Sequence, residues 1–199
     1  MCLTLERSGD FARLVLDSPP RNEMNRAFFE RLARLVREEL PGLRVRGLVV
    51  CGRGRHFSSG ADLKELMAGI RRDHAAWDGA WLREASLSIH ALSELPYPVA
   101  AAIRGCCLGS GLELALACRY RVAAAGSVFA LPETSFGLMP GCGGTLRLPR
   151  CVGQGTAVRM ILTGETVGAE DALAMGLVDS LASRADVEAE AERLIGMAS

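Results

Sequence analysis

A single α/β domain is the fold class this sequence predicts, and three observations predict it. Stretches with strand character alternate with stretches of helical period along the 199 residues. No linker, low-complexity run or shift of composition divides the chain. Two glycine-rich turns stand where a predicted strand gives way to a predicted helix, and a third opens a helix after a loop. The length suffices for one sizeable core.

The elements follow in order. "LTLERSGDFARLVLD" alternates apolar and polar residues around Ser8-Gly9-Asp10 and reads as a hairpin. "SPPRNEMN" is a loop. Over residues 25–40, Phe28, Phe29, Leu32, Leu35, Val36 and Leu40 recur near helical spacing, and Pro41-Gly42 ends that helix. "RGLVVCG" is a short buried strand. Helical patterns cover residues 63–70 and 81–95, separated by the polar stretch "RRDHAAWDGA". "PVAAAIRG" is the next strand, and "YRVAAAGSVFAL" reads as strand, turn at Gly126, strand. Pro140 and the glycines after it open a helix. "GTAVRMILTG" and "AEDALAMGLVD" are short helical pieces, and "ADVEAEAERLIGMAS" is strongly helix-forming.

Composition removes several function classes. Lys plus Arg number 23 and Asp plus Glu 23, so the net charge is zero and no nucleic-acid partner is expected. The seven cysteines are odd in number and form no C-x-x-C pair, which argues against a disulfide framework or structural zinc. They read as small apolar residues of a reducing compartment. His56, His74 and His90 share no ligand spacing, so no metal is expected. The most apolar region is interrupted by Pro96, Pro98, Arg104 and Glu113, which rules out a continuous membrane span there. Nothing at the N-terminus reads as a signal peptide, and a cytoplasmic protein is expected.

The chemistry concentrates in three turns: "FSSGADLKEL", "LGSGLELAL" and "MPGCGGTLR". Glycine permits close approach to the backbone, and a helix start offers unpaired N–H groups with the positive end of the dipole. Such turns suit phosphate, carboxylate or a developing oxyanion. They lack the dinucleotide, P-loop and nucleophile-elbow patterns. Glu113 and Glu133 accompany them, twenty residues apart, and strand, turn and strand between them can bring the chain back alongside itself. Two carboxylates facing one substrate can hold a water and move its protons. A plainer reading stands beside this one. Ser110-x-x-Glu113 matches a capping box, Glu133 can be a solvated loop residue, and Asp62 and Glu65 can decorate a helix start. Trp77 and Trp81, four apart, read as packing on one helix face.

At these turns the sequence resembles the enoyl-CoA hydratase/isomerase, or crotonase, family. The resemblance is an ordered series that covers nearly the whole chain. It runs through "PPRNEMN", "FSSGADLKEL", "PVAAAIRGCCLGSGLELALACRYRVAA", "FALPETSFGLMPGCGGTLRLPRCVG" and "LTGETVGAEDALAMGLVD". It implies a crotonase-like spiral of ββα units, with residues 1–180 as the core. Residues 181–199 would then begin a C-terminal helical region that stops early, where family members usually continue.

The resemblance further implies an acyl-CoA thioester substrate, with coenzyme A part of the substrate and no separate cofactor. The backbone N–H groups of Ala61 and Ser110 would form the oxyanion hole. Ser59, Ala61, Asp62, Leu63 and Lys64 would line the adenine and pantetheine side, Gly109 would face the substrate, and Gly141, at the start of its helix, would bind there by offering its backbone N–H towards the attacking water. Glu113 and Glu133 match both acid/base glutamates of the hydratases: Glu133 would protonate C2 and Glu113 would activate the water. Addition of water across the 2,3-double bond of a 2-enoyl-CoA, cyclic dienoyl-CoA included, is the expected reaction. Isomerisation, dehydration or thioester hydrolysis is the alternative within the family, and a non-catalytic CoA-binding subunit the alternative outside it. A trimer or dimer of trimers is the implied assembly. Ser110 stands where such hydratases often have glycine.

Overall fold

A computed structural model describes residues 2–72 and 80–197. Strands β1 (Leu3–Ser8) and β2 (Phe11–Leu16) pair antiparallel as the predicted hairpin. Strands β3 (Gly47–Gly52), β4 (Val99–Ile103), β6 (Tyr120–Ala124) and β9 (Ser180–Ala182) extend that sheet in parallel, in the order β1-β2-β3-β4-β6-β9. A second sheet joins three short strands, β5 (Cys106–Leu108), β7 (Val128–Ala130) and β8 (Val167–Gly168), in the order β5-β7-β8. The strands either side of Gly126 therefore belong to different sheets and do not pair with each other. This mixed α/β architecture agrees with the fold class read from the sequence.

The large sheet is buried on both faces, and the period of two along its strands sorts the residues. Leu14, Leu16, Leu48, Val50, Ala101, Ile103 and Ala123 face the main core. There they meet helices α1 (Arg26–Arg34), α3 (Ala80–Ser93) and α4 (Ser110–Ala117). The residues between them, Val15, Val49, Cys51, Ala100, Ala102 and Val122, face a second layer with Val187, Ala191 and Ile195 of helix α8 (Val187–Met197). The strongly helix-forming last stretch is thus the cover of the sheet's outer face. Arg13 ties it down through Glu188 at 3.1 Å and Glu192 at 2.9 Å.

Several elements depart from the sequence expectation for identifiable reasons. The helix expected over 25–40 is capped by Asn25, whose Oδ1 accepts from the Phe28 N–H at 2.9 Å, but its α-helical part stops at Arg34. A π turn, Leu35–Glu39, follows, in which the Leu40 N–H reaches back five residues to the Leu35 carbonyl. That period keeps both leucines fully buried. A 3₁₀ turn, Leu40–Gly42, then ends at Pro41-Gly42. Helix α2 (Leu63–Arg72) occupies the first of the two predicted helical patterns that follow β3. The helix after Pro140 is α5 (Gly144–Val152), which starts only at the last of the glycines. Helices α6 (Gln154–Thr163) and α7 (Ala169–Ala174) fall on the two short helical pieces. His74, Trp77 and the polar stretch around them lie outside the described residues. Trp81 packs edge-on against Phe29, with ring centroids 5.6 Å apart. All seven cysteines are free thiols. No helix among the described residues is long and apolar enough to cross a membrane.

Candidate active site

The first two glycine-rich turns lie side by side because the chain segments before them pair. The Ser58 N–H donates to the Cys106 carbonyl, and the Leu108 N–H donates to the Ser58 carbonyl, both at 3.0 Å. The two segments therefore run in parallel and reach Gly60-Ala61 and Gly109-Ser110 together. Only glycine serves at position 60: its φ is +92°, and a Cβ there would stand 2.8 Å from the Leu108 carbonyl oxygen. Buried Ser58 shapes this turn, its Oγ donating to the Asn22 carbonyl at 2.7 Å and accepting from the Gly60 N–H at 3.0 Å. Asn22 is itself buried, and its Nδ2 donates to the carbonyls of Arg53 and His56.

The two turns present two free donors. Met24 bridges to Ala61 in parallel, receiving the Asp62 N–H and giving its own N–H to the Gly60 carbonyl. This pattern turns the Ala61 N–H away from the bridge. Ser110 is the first residue of α4, where an N–H has no acceptor within the helix. Neither N–H donates to another group among the described residues.

The third glycine-rich turn holds a carboxyl group, and that group is the protein's own. Oε1 of Glu113 accepts from the N–H groups of Cys142 at 2.7 Å and Gly144 at 2.8 Å, at the start of α5. This replaces the capping box. Gly109, not Ser110, caps α4, and no side chain bonds the helix start. Glu113, only 1% exposed, is carried by a helix that is otherwise apolar. Burial pushes its carboxyl above the usual range. The Gly144 and Cys142 N–H groups, the Arg147 charge and the Ser110 side chain oppose that rise.

Glu133 sits in a 3₁₀ turn, Pro132–Phe136, directly after β7. The parallel register Leu108↔Ala130 and the bond from the Gly109 N–H to the Ala130 carbonyl bring that turn to the start of α4. Burial pushes its carboxyl up to about 7; its own backbone N–H pulls it down, and the charge of Glu113 adds to the rise. Its Oε2 is buried and has no partner among the described residues. A carboxyl left this way favours the neutral, protonated form.

One cavity joins these groups. Its volume is about 110 Å³, several times what a water needs. Ser59, Ala61, Leu63, Gly109, Ser110, Glu113, Glu133 and Gly141 all line it, against an apolar wall that includes Phe29, Leu66, Trp81, Phe136 and Met139. Asp62 and Lys64 are not in that wall. Asp62 caps α2, its Oδ1 accepting from the N–H groups of Lys64 and Glu65. The sequence reading missed the donors to Glu113, although the "GCGG" that supplies them was visible as an anion-holding turn. It also missed the Ser58–Asn22 pair, which nothing local in the sequence announces.

Comparison with known proteins follows the same lines. A family model described as enoyl-CoA hydratase/isomerase matches residues 6–197. A Bacillus subtilis (strain 168) protein named "Probable enoyl-CoA hydratase" is 38% identical over 168 residues. The match covers 84% of this chain, and the chain spans only 64% of that relative's length. The structure of Pseudomonas aeruginosa DspI superposes with a TM-score of 0.84 at 37% identity, over 98% of this chain and 79% of that one. The enoyl-CoA hydratase of Bacillus anthracis superposes at 0.89 with 30% identity, over 99% and 76%.

Proposed function

The chain belongs to the enoyl-CoA hydratase/isomerase family, and from that premise we propose that its site adds water across the 2,3-double bond of a 2-enoyl-CoA thioester. The observation that carries this reading is the pairing of two carboxyls, unequally partnered, in one cavity beside two free backbone N–H groups. Burial and a second charge in the same cavity both disfavour a second ionisation, so the pair holds one proton at neutral pH in this reading. Its preferred place is Glu133, whose Oε2 has no donor. The charge then rests on Glu113, where two N–H groups meet it.

In the proposed reaction the thioester oxygen accepts from the Ala61 and Ser110 N–H groups. Glu113 takes a proton from the water as its oxygen bonds to C3. The π electrons move into the enolate, whose oxygen the two N–H groups stabilise. The enolate then collapses, and C2 takes the proton of Glu133. A proton passing from Glu113 to Glu133 across the cavity restores the site. Having two carboxyls at the cavity supports hydration over isomerisation, which needs only one group to carry a proton between carbons.

The test is the loss of ultraviolet absorbance of a short 2-enoyl-CoA, with the product's mass recorded. The chain should consume the substrate with a gain of one water in mass. Glu113→Gln and Glu133→Gln should each lower kcat by roughly 10²–10⁴-fold while circular dichroism stays unchanged. Full activity in either variant removes that glutamate from the mechanism, and a product of unchanged mass replaces hydration with isomerisation.

A further inference from the structure

Behind Glu113 lies a charged side chain that the reaction above does not use. Arg147, on α5, is half-buried and has no carboxylate within ion-pair distance among the described residues. Its Nη1 donates to the Cys142 carbonyl at 2.9 Å. Its backbone N–H donates to the Gly143 carbonyl, also at 2.9 Å. A Cβ on Gly143 would fall 2.0 Å from Nη1, so the guanidinium lies directly on that residue's backbone. The residues it grips are the turn whose N–H groups hold Glu113.

The geometry points to Arg147 as a positioning residue, one that clamps the 142–144 turn and so aims and ionises the carboxylate of Glu113. Taking a cation partly out of water without a carboxylate beside it is costly, and here its charge serves a carboxylate reached through one turn of backbone. Arg147 faces Glu113 on α4, the thiol of Cys118 just after that helix, Cys142 in its own turn, Arg150 on α5, and His90 on α3, whose Nδ1 is 3.4 Å from Nη2. Glu94, Tyr97, Arg119 and Cys151 line the same hollow as Arg147. Glu113 faces Arg147 and Glu133. Burial holds the thiols of Cys118 and Cys142 in the neutral form. Arg147 bonds to this turn through its guanidinium, and the planar fork of arginine suits a carbonyl at this distance.

The inference rests on the hydratase reading, so its test has two arms. In turnover, Arg147→Met should lower kcat at least tenfold with KM changed less than threefold. It should also move the acid limb of the kcat profile upward by about one pH unit. Arg147→Lys, which keeps the charge, should return the acid limb towards its original place. In the resting protein, the carboxyl band of Glu113, identified by its loss in Glu113→Gln, should titrate higher in Arg147→Met than in the parent. The infrared arm stands even if the chain turns over no enoyl-CoA, which would defeat the hydratase reading alone. An unmoved Glu113 titration in Arg147→Met overturns the proposal. So does a fall in kcat that Arg147→Lys shares in full with the acid limb unmoved.

Discussion

Around Glu113, two backbone N–H groups and a guanidinium behind them converge on one side of the carboxylate. Around Glu133, a buried oxygen meets no donor among the described residues. Both side chains look into the same cavity, so the difference comes from the elements that carry them. Glu113 stands in the first turn of a buried helix facing the start of a second helix. Glu133 stands in a 3₁₀ turn after a three-residue strand; it lies beside the start of α4, but its Oε2 accepts no N–H there among the described residues. One fold thereby raises two identical side chains by burial but opposes the rise unequally, at Glu113 through two N–H groups, the Arg147 charge and the Ser110 side chain, at Glu133 only through its own N–H.

The comparison makes opposite predictions for stability, and these carry the largest effect. Glu113→Ala leaves two buried N–H groups without an acceptor, which should cost about 2–5 kcal/mol in denaturant unfolding. Glu133→Gln should do the reverse at alkaline pH. A carboxyl raised to about 7 favours the protonated form in the folded chain. Its contribution is therefore fully present below the unfolded value near 4.5 and is lost as pH rises through 7. At pH 8 the variant should exceed the parent by on the order of 2–3 kcal/mol, and near pH 4 the two should coincide. Equal pH slopes in parent and variant would erase the distinction between the two glutamates.

A smaller contrast concerns the glycines that touch each carboxylate. A Cβ on Gly109 would stand 3.0 Å from Glu133 Oε1, and one on Gly144 would stand 3.1 Å from Glu113 Oε1. Gly109 also has φ +52° and ψ −128°, which alanine resists, whereas Gly144 lies within a right-handed helix. Gly109→Ala should lose about 1–3 kcal/mol of stability together with activity. Gly144→Ala should keep its stability within about 1 kcal/mol and lose kcat, because its Cβ, 3.1 Å from Pro140 Cβ and from Glu113 Oε1, disturbs the aim of Glu113. Matched thermal melts and turnover assays separate the two.

The smallest effect is expected at Ser110. Its backbone N–H faces the cavity, and the hydroxyl makes only a minor contribution to Glu113. Ser110→Ala should change kcat by less than about threefold and stability by less than about 0.5 kcal/mol. A larger loss would move the role of this position from its backbone to its side chain.

Much of this was legible along the chain because its causes are local. The Ser8-Gly9-Asp10 turn, the apolar period over residues 25–40 and the breaks at Pro41 and Pro140 act within a few residues of themselves. The third glycine-rich turn was readable as a place for a carboxyl for the same reason, and the mixed α/β class was legible too. Other features were not legible. The π turn after Arg34 arises because Leu35 and Leu40 must reach one core, a demand made by distant strands. Two strands of the small sheet, β5 and β8, are three and two residues long, too short for any period to show.

The sequence by itself determined the order of elements, the family resemblance and the residue types available for chemistry. The tertiary structure decided which group the third turn holds. In the linear pattern Ser110 and Glu113 form a capping box; in space the glutamate is taken by N–H groups 29 and 31 residues away. The pairing of Cys107 with Phe129 likewise sets Glu133 beside Gly109. A hydrogen bond or a pKa depends on what stands within a few ångströms, and strand register between distant segments, not spacing along the chain, supplies that neighbour.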